Sequence, residues 1–523
     1  MKFYLNYLLH FFILFSCSEK AEVETSFLEK KMPAKSKIEW ILSAENNSVL
    51  KLDDNALKFL NDFYHNRGNK PLWINDSCLT IQGENLLKIL QKPISLGLPD
   101  NRIFTPINDS TNLIFKEIYI TNSLATLSMD LEKGILDTVA KKCKPLSYPQ
   151  FMTFKELIHF KSDSINDQAQ QIISWGPKDT IYQKIAQQLF LYSFNKNLKD
   201  KDFKVPTFKK DSIKSLNFAK LALQSKSYLT DSQTDSLSFI FALKLFQLDN
   251  GLRDDAVIGQ TTADALNETL EEKCQRAALV LEKLRWNKNL DKRYIEVNIP
   301  EFTLRFFADD TLKSVNRIIV GKLDTQTPEF SAQLSTIIAY PFWSVPFSIT
   351  SKEMLPDARR NPKYFARNHM KLYKKDVEID PMTVNWKAIR DKTFPYKVIQ
   401  QPGAHNSLGI IKFDFNNKFG VYFHDTPQKG LFNTVIRSYS HGCMRCENPI
   451  DLAKIILLKD ENKVIPDSLD SILSRQINHP ISLKKRIPIY VTYRSVIVDN
   501  DNRLIFLRDI YRRDKRLAKM MFA

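Results

Sequence analysis

At 523 residues the chain is longer than one hydrophobic core usually supports, so two to four domains are expected. With 43% hydrophobic and 26% charged residues, and only 13 glycines and 23 prolines, its composition is globular and argues against wholesale disorder. The formal charge of +17 favours an anionic partner such as nucleic acid, anionic lipid or an acidic polymer; no homeodomain, zinc-finger or RNA-binding aromatic signature is present, so nucleic acid is not expected.

Residues 4–15 are almost wholly apolar, follow a lone Lys2 and run into Leu14-Phe15-Ser16-Cys17. About a dozen apolar residues fall short of the ~20 needed to span a bilayer, so residues 1–17 read as a cleaved export signal. Leu-Phe-Ser-Cys resembles a lipobox, which would make Cys17 an acylated anchor; an ordinary secretory peptide is the alternative. Either way the expected location is outside the inner membrane, in the periplasm, free or tethered by lipid. No later stretch is long and apolar enough to span. Residues 18–50 are polar and read as a linker.

From 51 to 211 apolar residues recur at helical spacing, as in Leu86, Leu87 and Leu90, so a helical domain is expected. Residues 212–270 form a smaller helical module around Gln247-Leu248-Asp249-Asn250-Gly251-Leu252, with Thr261 as a helix N-cap. After residue 290 the pattern turns to alternation, as in Tyr294-Ile295-Glu296-Val297-Asn298-Ile299, which predicts a β-rich domain over 290–475. Charged, helix-like residues 352–403 interrupt it as an inserted subdomain or lid. Residues 476–523 read as closing strands and a basic tail. The expected fold class is therefore multidomain α+β, with a helical N-terminal part, a small helical module and a β-rich domain bearing an insertion.

Six cysteines are too few for a disulfide framework, and Cys78, Cys143 and Cys274 read as small buried hydrophobes. The others include the densest chemical signal, His424-Asp425-Thr426-Pro427 followed by Ser440-His441-Gly442-Cys443-Met444-Arg445-Cys446-Glu447-Asn448-Pro449. A thiol of pKa ~8.5 is only a few per cent thiolate at neutral pH and needs a base or positive potential beside it. His424, at the end of the strand Val421-Tyr422-Phe423, is the candidate base for Cys443. Asn448 and Pro449 suit the cap and first turn of a helix, whose positive end would favour thiolate. Gly442 permits a tight turn in which N–H groups near Gly442 and Cys443 face a carbonyl oxygen, each such donor being worth roughly 3 kcal/mol in a transition state.

Cys443-Met444-Arg445-Cys446 opens two rival readings, a zinc site completed by His424 and His441 and a redox pair. The spacing lacks two separated ligand pairs and the context is not βαβ, so no metal or cofactor is expected, and Cys446 is read as packed beneath the helix start.

The run His-x(n)-Ser-His-Gly-Cys-x-Arg followed by Glu-Asn-Pro resembles the active-site motif of the L,D-transpeptidase (YkuD-like) family. The similarity continues in Gly321-Lys322-Leu323-Asp324-Thr325-Gln326-Thr327-Pro328-Glu329-Phe330-Ser331, Pro341-Phe342-Trp343-Ser344-Val345-Pro346, Met354-Leu355-Pro356 and Asn406-Ser407-Leu408-Gly409. Residues 250–262 resemble a peptidoglycan-binding module, with Ala256 where glycine is usual, and Arg67-Gly68-Asn69-Lys70-Pro71-Leu72-Trp73 resembles an N-terminal scaffold domain. The resemblance implies that Cys443 attacks a stem tetrapeptide, releases D-Ala and passes the acyl group to an amine on a second stem. It also implies that the Asp425 carbonyl orients His424 and that His441 and Gly442 shape the oxyanion pocket. Arg445 is expected to hold a substrate carboxylate or to pair with Glu447, while Ser440, Trp343, Tyr422 and Asn448 line the substrate cleft, Trp343 and Tyr422 fitting a core role as well. The implied partners are peptidoglycan stem peptides, with a membrane met only through Cys17 and the chain a monomer. A carboxypeptidase or endopeptidase of the same fold and a non-catalytic wall-binding protein are the alternative readings.

Overall fold

The computed structural model describes residues 33–43, 50, 52–103, 112–137, 139–140, 142–233, 235–286, 291–461 and 466–522. The expected export signal over residues 1–17, Cys17 included, lies outside these residues.

The helical half is built on α1 (Ala34–Ile41), α2 (Asp54–His65), α3 (Ile81–Leu90), α4 (Leu113–Lys133), α5 (Phe151–Leu157), α6 (Ile165–Ile173) and α7 (Thr180–Ser193). Their starts follow side-chain chemistry: Asp53, Thr80, Asn112 and Asp179 each accept a first-turn N–H. Part of the expected 18–50 linker is corrected, because α1 buries Ile38 and Ile41 completely in this core. The Arg67–Trp73 run folds onto a buried carboxylate, Glu117, which accepts from the Leu72 and Trp73 N–H groups.

The next module contains α8 (Ser212–Ser225), α9 (Ser236–Asp249) and α10 (Gln260–Asn267) around its own core of Leu223, Leu243, Phe246 and Leu266. Gly259, not Thr261, occupies the N-cap of α10, and no side chain caps it. The long α11 (Leu270–Trp286) returns to the first core through Ala277, Ala278 and Leu281.

The β-rich domain comprises β1 (Tyr294–Asn298), β2 (Thr303–Ala308), β3 (Thr311–Gly321), β4 (Phe330–Ala339), β9 (Ile411–Phe415), β10 (Phe423–His424), β11 (Ser438–Ser440), β12 (Met444–Cys446) and β13 (His479–Thr492). Their order is β11-β3-β12-β10-β9-β4-β13-β1-β2, and β2 also pairs with β3, so the sheet closes on itself. Inside lie Val297, Leu304, Ile337, Phe413, Phe423, Met444 and Ile489, with α14 (Pro449–Lys459) packed against them through Leu452, Ala453 and Ile456. The expected end at 475 is corrected: β13 pairs with both β4 and β1, because its apolar positions face the same core.

Across the segment expected as an insertion over 352–403, a separate sheet runs from residue 343 to residue 400. Here β5 (Trp343–Ser344), β6 (Met370–Lys374), β7 (Val377–Ile379) and β8 (Lys397–Gln400) pair in the order β5-β8-β6-β7. With α12 (Leu355–Arg360) and α13 (Tyr364–Arg367) it encloses Leu355, Phe365, Leu372, Trp386 and Val398. The charge density that suggested helix alone conceals this small core.

The C-terminal stretch is no free tail. A hairpin of β14 (Val496–Val498) and β15 (Leu504–Phe506) and the helix α16 (Arg513–Met521) bury Val496, Phe506 and Met521 against the helical core. Among the described residues no helix is long and apolar enough to cross a membrane.

Candidate active site

The site forms where three neighbouring strands present polar residues on one face. In register, Lys412 on β9 faces His424 on β10, and His424 faces Arg445 on β12, which runs parallel to β10. Met444 lies opposite Phe423, and both are fully buried in the core. Alternation then turns Tyr422, His424, Cys443 and Arg445 the other way, into the cleft. Cys443 and His424 thus share a face on adjacent strands, with no direct hydrogen bond between them in this state.

His424 is buried, and its Nδ1 lies 2.5 Å from the Asp425 carbonyl oxygen. A ring N–H donated there leaves the Nε2 lone pair free. Burial, with Arg445 and Lys412 nearby, pushes the imidazole pKa down to about 3. Asp425 itself is fixed by donors: Ile410 N–H reaches its Oδ2 at 3.0 Å, Lys429 pairs with its Oδ1, and its own N–H meets the Ile411 carbonyl at 2.8 Å. Gly409, in left-handed backbone, lies so close that a Cβ would collide with this carboxylate. Asn406, completely buried, ties that turn to the ends of the insertion through the Pro341 and Gln401 carbonyls.

Burial raises the Cys443 thiol, and the Tyr422 main-chain N–H and hydroxyl, Lys412 and Arg445 pull it back. The Tyr422 hydroxyl stands between the sulfur and the half-buried Trp343, while Lys412 Nζ lies 4.3 Å from the Tyr422 ring centre. These groups, not the helix, supply the positive surroundings of the thiol. Strand β12 separates Cys443 from α14, and a helix dipole acts only within about a turn of its end. Asn448 sits before Pro449 in left-handed backbone and makes no side-chain cap.

The turn that carries Cys443 is held by three hydrogen bonds. The Gly442 N–H donates to Ser440 Oγ at 3.1 Å, and that hydroxyl donates to the Cys443 carbonyl at 2.5 Å. Gly442 is therefore not an available oxyanion donor, which corrects that part of the expectation, whereas the Cys443 N–H makes no hydrogen bond among the described residues. Thr327, buried and given no role by the sequence reading beyond its place in the Gly321–Ser331 run, accepts from Gly321 N–H and donates to the Gly442 carbonyl, both at 2.9 Å.

Arg445 has no carboxylate partner among the described residues: it donates to Gln428 Oε1 at 2.6 Å, while Glu447 is taken by Arg317 in a two-pronged pair. The alternative of an Arg445–Glu447 bridge is thereby set aside. His441 points to the insertion, its Nε2 lying 2.6 Å from Glu353 Oε1. Cys446 shares the core-facing side of β12 with Met444, is fully buried, and its thiol is pushed up by burial. Facing away from Cys443, it cannot join it in a metal site or a short disulfide. Of the remaining cysteines, Cys274 is buried as expected, but Cys143 is only half-buried and Cys78 is exposed.

Comparison with known proteins agrees with this architecture. Residues 292–465 match the L,D-transpeptidase catalytic domain (YkuD), and residues 58–189 match the Scaffold domain. These matches place a segment similar to the L,D-transpeptidase catalytic domain over the β-rich half and one similar to the Scaffold domain over the helical half. A Haemophilus influenzae protein named "Putative L,D-transpeptidase" is 31% identical over 224 residues, which are 43% of this chain. The match spans 45% of that relative, about half its length.

Proposed function

We propose that the protein cross-links peptidoglycan as an L,D-transpeptidase working through a Cys443 acyl-enzyme. The observation that carries this reading is the shared strand face of Cys443, a neutral His424 with a free Nε2 and a carboxylate-free Arg445. On this reading Cys443 Sγ attacks the carbonyl preceding a terminal D-Ala, and His424 takes the thiol proton and returns it to the leaving amine. The Cys443 N–H receives the developing oxyanion, a term worth roughly 3 kcal/mol per donor, and Arg445 holds the terminal carboxylate of the donor. Tyr422 and Trp343 wall the cleft. An amine of a second stem then resolves the thioester. Export, a periplasmic location with or without a lipid at Cys17, and wall contact through the 212–270 module belong to the same proposal; the insertion acts as the lid.

The test is a reaction with disaccharide-tetrapeptide, followed by muropeptide separation and intact-protein mass. The wild type is expected to give cross-linked dimers and a covalent acyl adduct, also formed with a carbapenem, and Cys443→Ala neither. Shortened monomers alone would indicate a carboxypeptidase, and full cross-linking by Cys443→Ala would overturn the assignment.

A further inference from the structure

Acyl transfer to an amine requires two deprotonations. The thiol gives up a proton when it attacks the donor, and the acceptor, an ammonium at neutral pH, must lose one before its nitrogen can attack. His424 is buried on the strand that neighbours the one following Cys443. A second imidazole stands two residues before the nucleophile: His441, partly exposed, with Nε2 2.6 Å from Glu353 Oε1. Glu353 lies on the insertion in a π-helical turn, Thr350–Met354, whose Thr350, Ser351 and Met354 are buried while the Glu353 side chain stays about half exposed. Such turns are rare and recur at functional sites. Only Oε1 of this carboxylate is engaged; Oε2 makes no hydrogen bond among the described residues. A contact between two side chains this exposed adds little to stability, so its position between insertion and nucleophile turn calls for another account.

We infer that His441 and Glu353 form a second dyad that binds and deprotonates the amine acceptor. This rests on the transpeptidase reading above and assigns it a residue, Glu353, which the motif does not contain. Nε2–H donates to Glu353 Oε1, which fixes the tautomer and leaves the lone pair on Nδ1. Glu353 Oε2 receives the acceptor's ammonium, so the dyad selects a primary amine on a peptide side chain over water. His441 takes one proton from the ammonium and the freed electron pair forms the C–N bond at the thioester carbon. The C–S pair returns to sulfur, the second nitrogen proton reaches that sulfur through His424, and His441 releases its proton to solvent. The products are an amide and the regenerated thiol.

The experiment uses the full chain and its Glu353→Gln and Glu353→Ala variants. The substrates are a disaccharide-tetrapeptide with a free side-chain amine and the same compound with that amine acetylated. The reading is the partition of the acyl-enzyme between cross-linked dimer and hydrolysed tripeptide, across pH. Both variants are expected to lower the dimer-to-hydrolysis ratio by about 10- to 100-fold, less than the roughly 10²–10⁴-fold supplied by a general base because His441 is kept, and to move dimer formation to higher pH. With the acetylated compound the wild type is expected to give hydrolysed tripeptide and no dimer, which sets the hydrolysis baseline for the partition. An unchanged ratio and pH midpoint overturns the dyad, as does an equal fall in both products, which would mark Glu353 as structural only. If wild type forms no acyl adduct by intact mass, the transpeptidase reading itself falls, an outcome distinct from the other two.

Discussion

Burial sets the ionisation of both groups at the nucleophile. The imidazole of His424 is held neutral down to about pH 3, and the Cys443 thiol is pushed up despite Tyr422, Lys412 and Arg445. Thiol and imidazole are therefore both uncharged at neutral pH, and on the proposed reading proton transfer waits for the substrate. The same burial has a signature in stability. An unfolded histidine protonates near pH 6.5, the folded one only near 3, so the unfolded chain binds the extra proton between these values. Stability from this group is complete above pH ~6.5 and is lost as pH falls toward 3. His424→Gln should flatten that part of the profile, which urea midpoints measured between pH 4 and 7 would read; an unchanged slope would show that other groups govern it. Cys443, His424 and Arg445 were legible because their spacing is local. Lys412, Gln428 and Glu353 were not, and Thr327 was met only as part of a resembling run without its contact to Gly442, since each reaches the site through strand register or a loop crossing that no local pattern encodes.

Among the elements, α11 shows how a charged helix becomes a core helix. Its Glu282 and Arg285 are completely buried, yet every contact they make is specific. Glu282 accepts from the Ile135 and Leu136 N–H groups and the Trp286 indole, and Arg285 donates to the Leu96 and Gly97 carbonyls. Removing one member leaves the other charge unpaired in the interior, at a cost of about 3–5 kcal/mol. Glu282→Ala is expected to lose that much in equilibrium urea unfolding, whereas the exposed pair Lys371–Glu378 should contribute within about 1 kcal/mol. Helical period marked most of the N-terminal elements, but a buried ion pair reads in sequence as a solvated face. The insertion failed for a related reason, as its short strands carry lysines on their outer side and only Leu372, Val398 and their neighbours face inward.

At the scale of the molecule, the C-terminal segment joins the two halves and reaches the Cys443 turn through Thr327. After β13 leaves the barrel, the chain packs β14, β15 and α16 on the helical core, and on the way Tyr511 enters the barrel side. The Tyr511 hydroxyl donates to the Gly321 carbonyl at 2.6 Å and accepts from the Thr327 N–H at 3.2 Å, and Arg513 binds Glu329 and the Thr327 carbonyl. Thr327 in turn holds the Gly442 carbonyl, so a continuous set of hydrogen bonds runs from the C-terminal segment to the peptide before Cys443. Tyr511→Phe removes two of these bonds while keeping the ring, which stacks on Tyr493. Each lost bond costs about 0.5–1.5 kcal/mol, so the variant should stay folded. If the turn depends on this support, its acylation rate with a carbapenem should fall by about 3- to 10-fold at unchanged circular dichroism, because a loosened Gly442 carbonyl lets the nucleophile leave its attack geometry. A rate equal to wild type would confine the C-terminal segment to joining the halves.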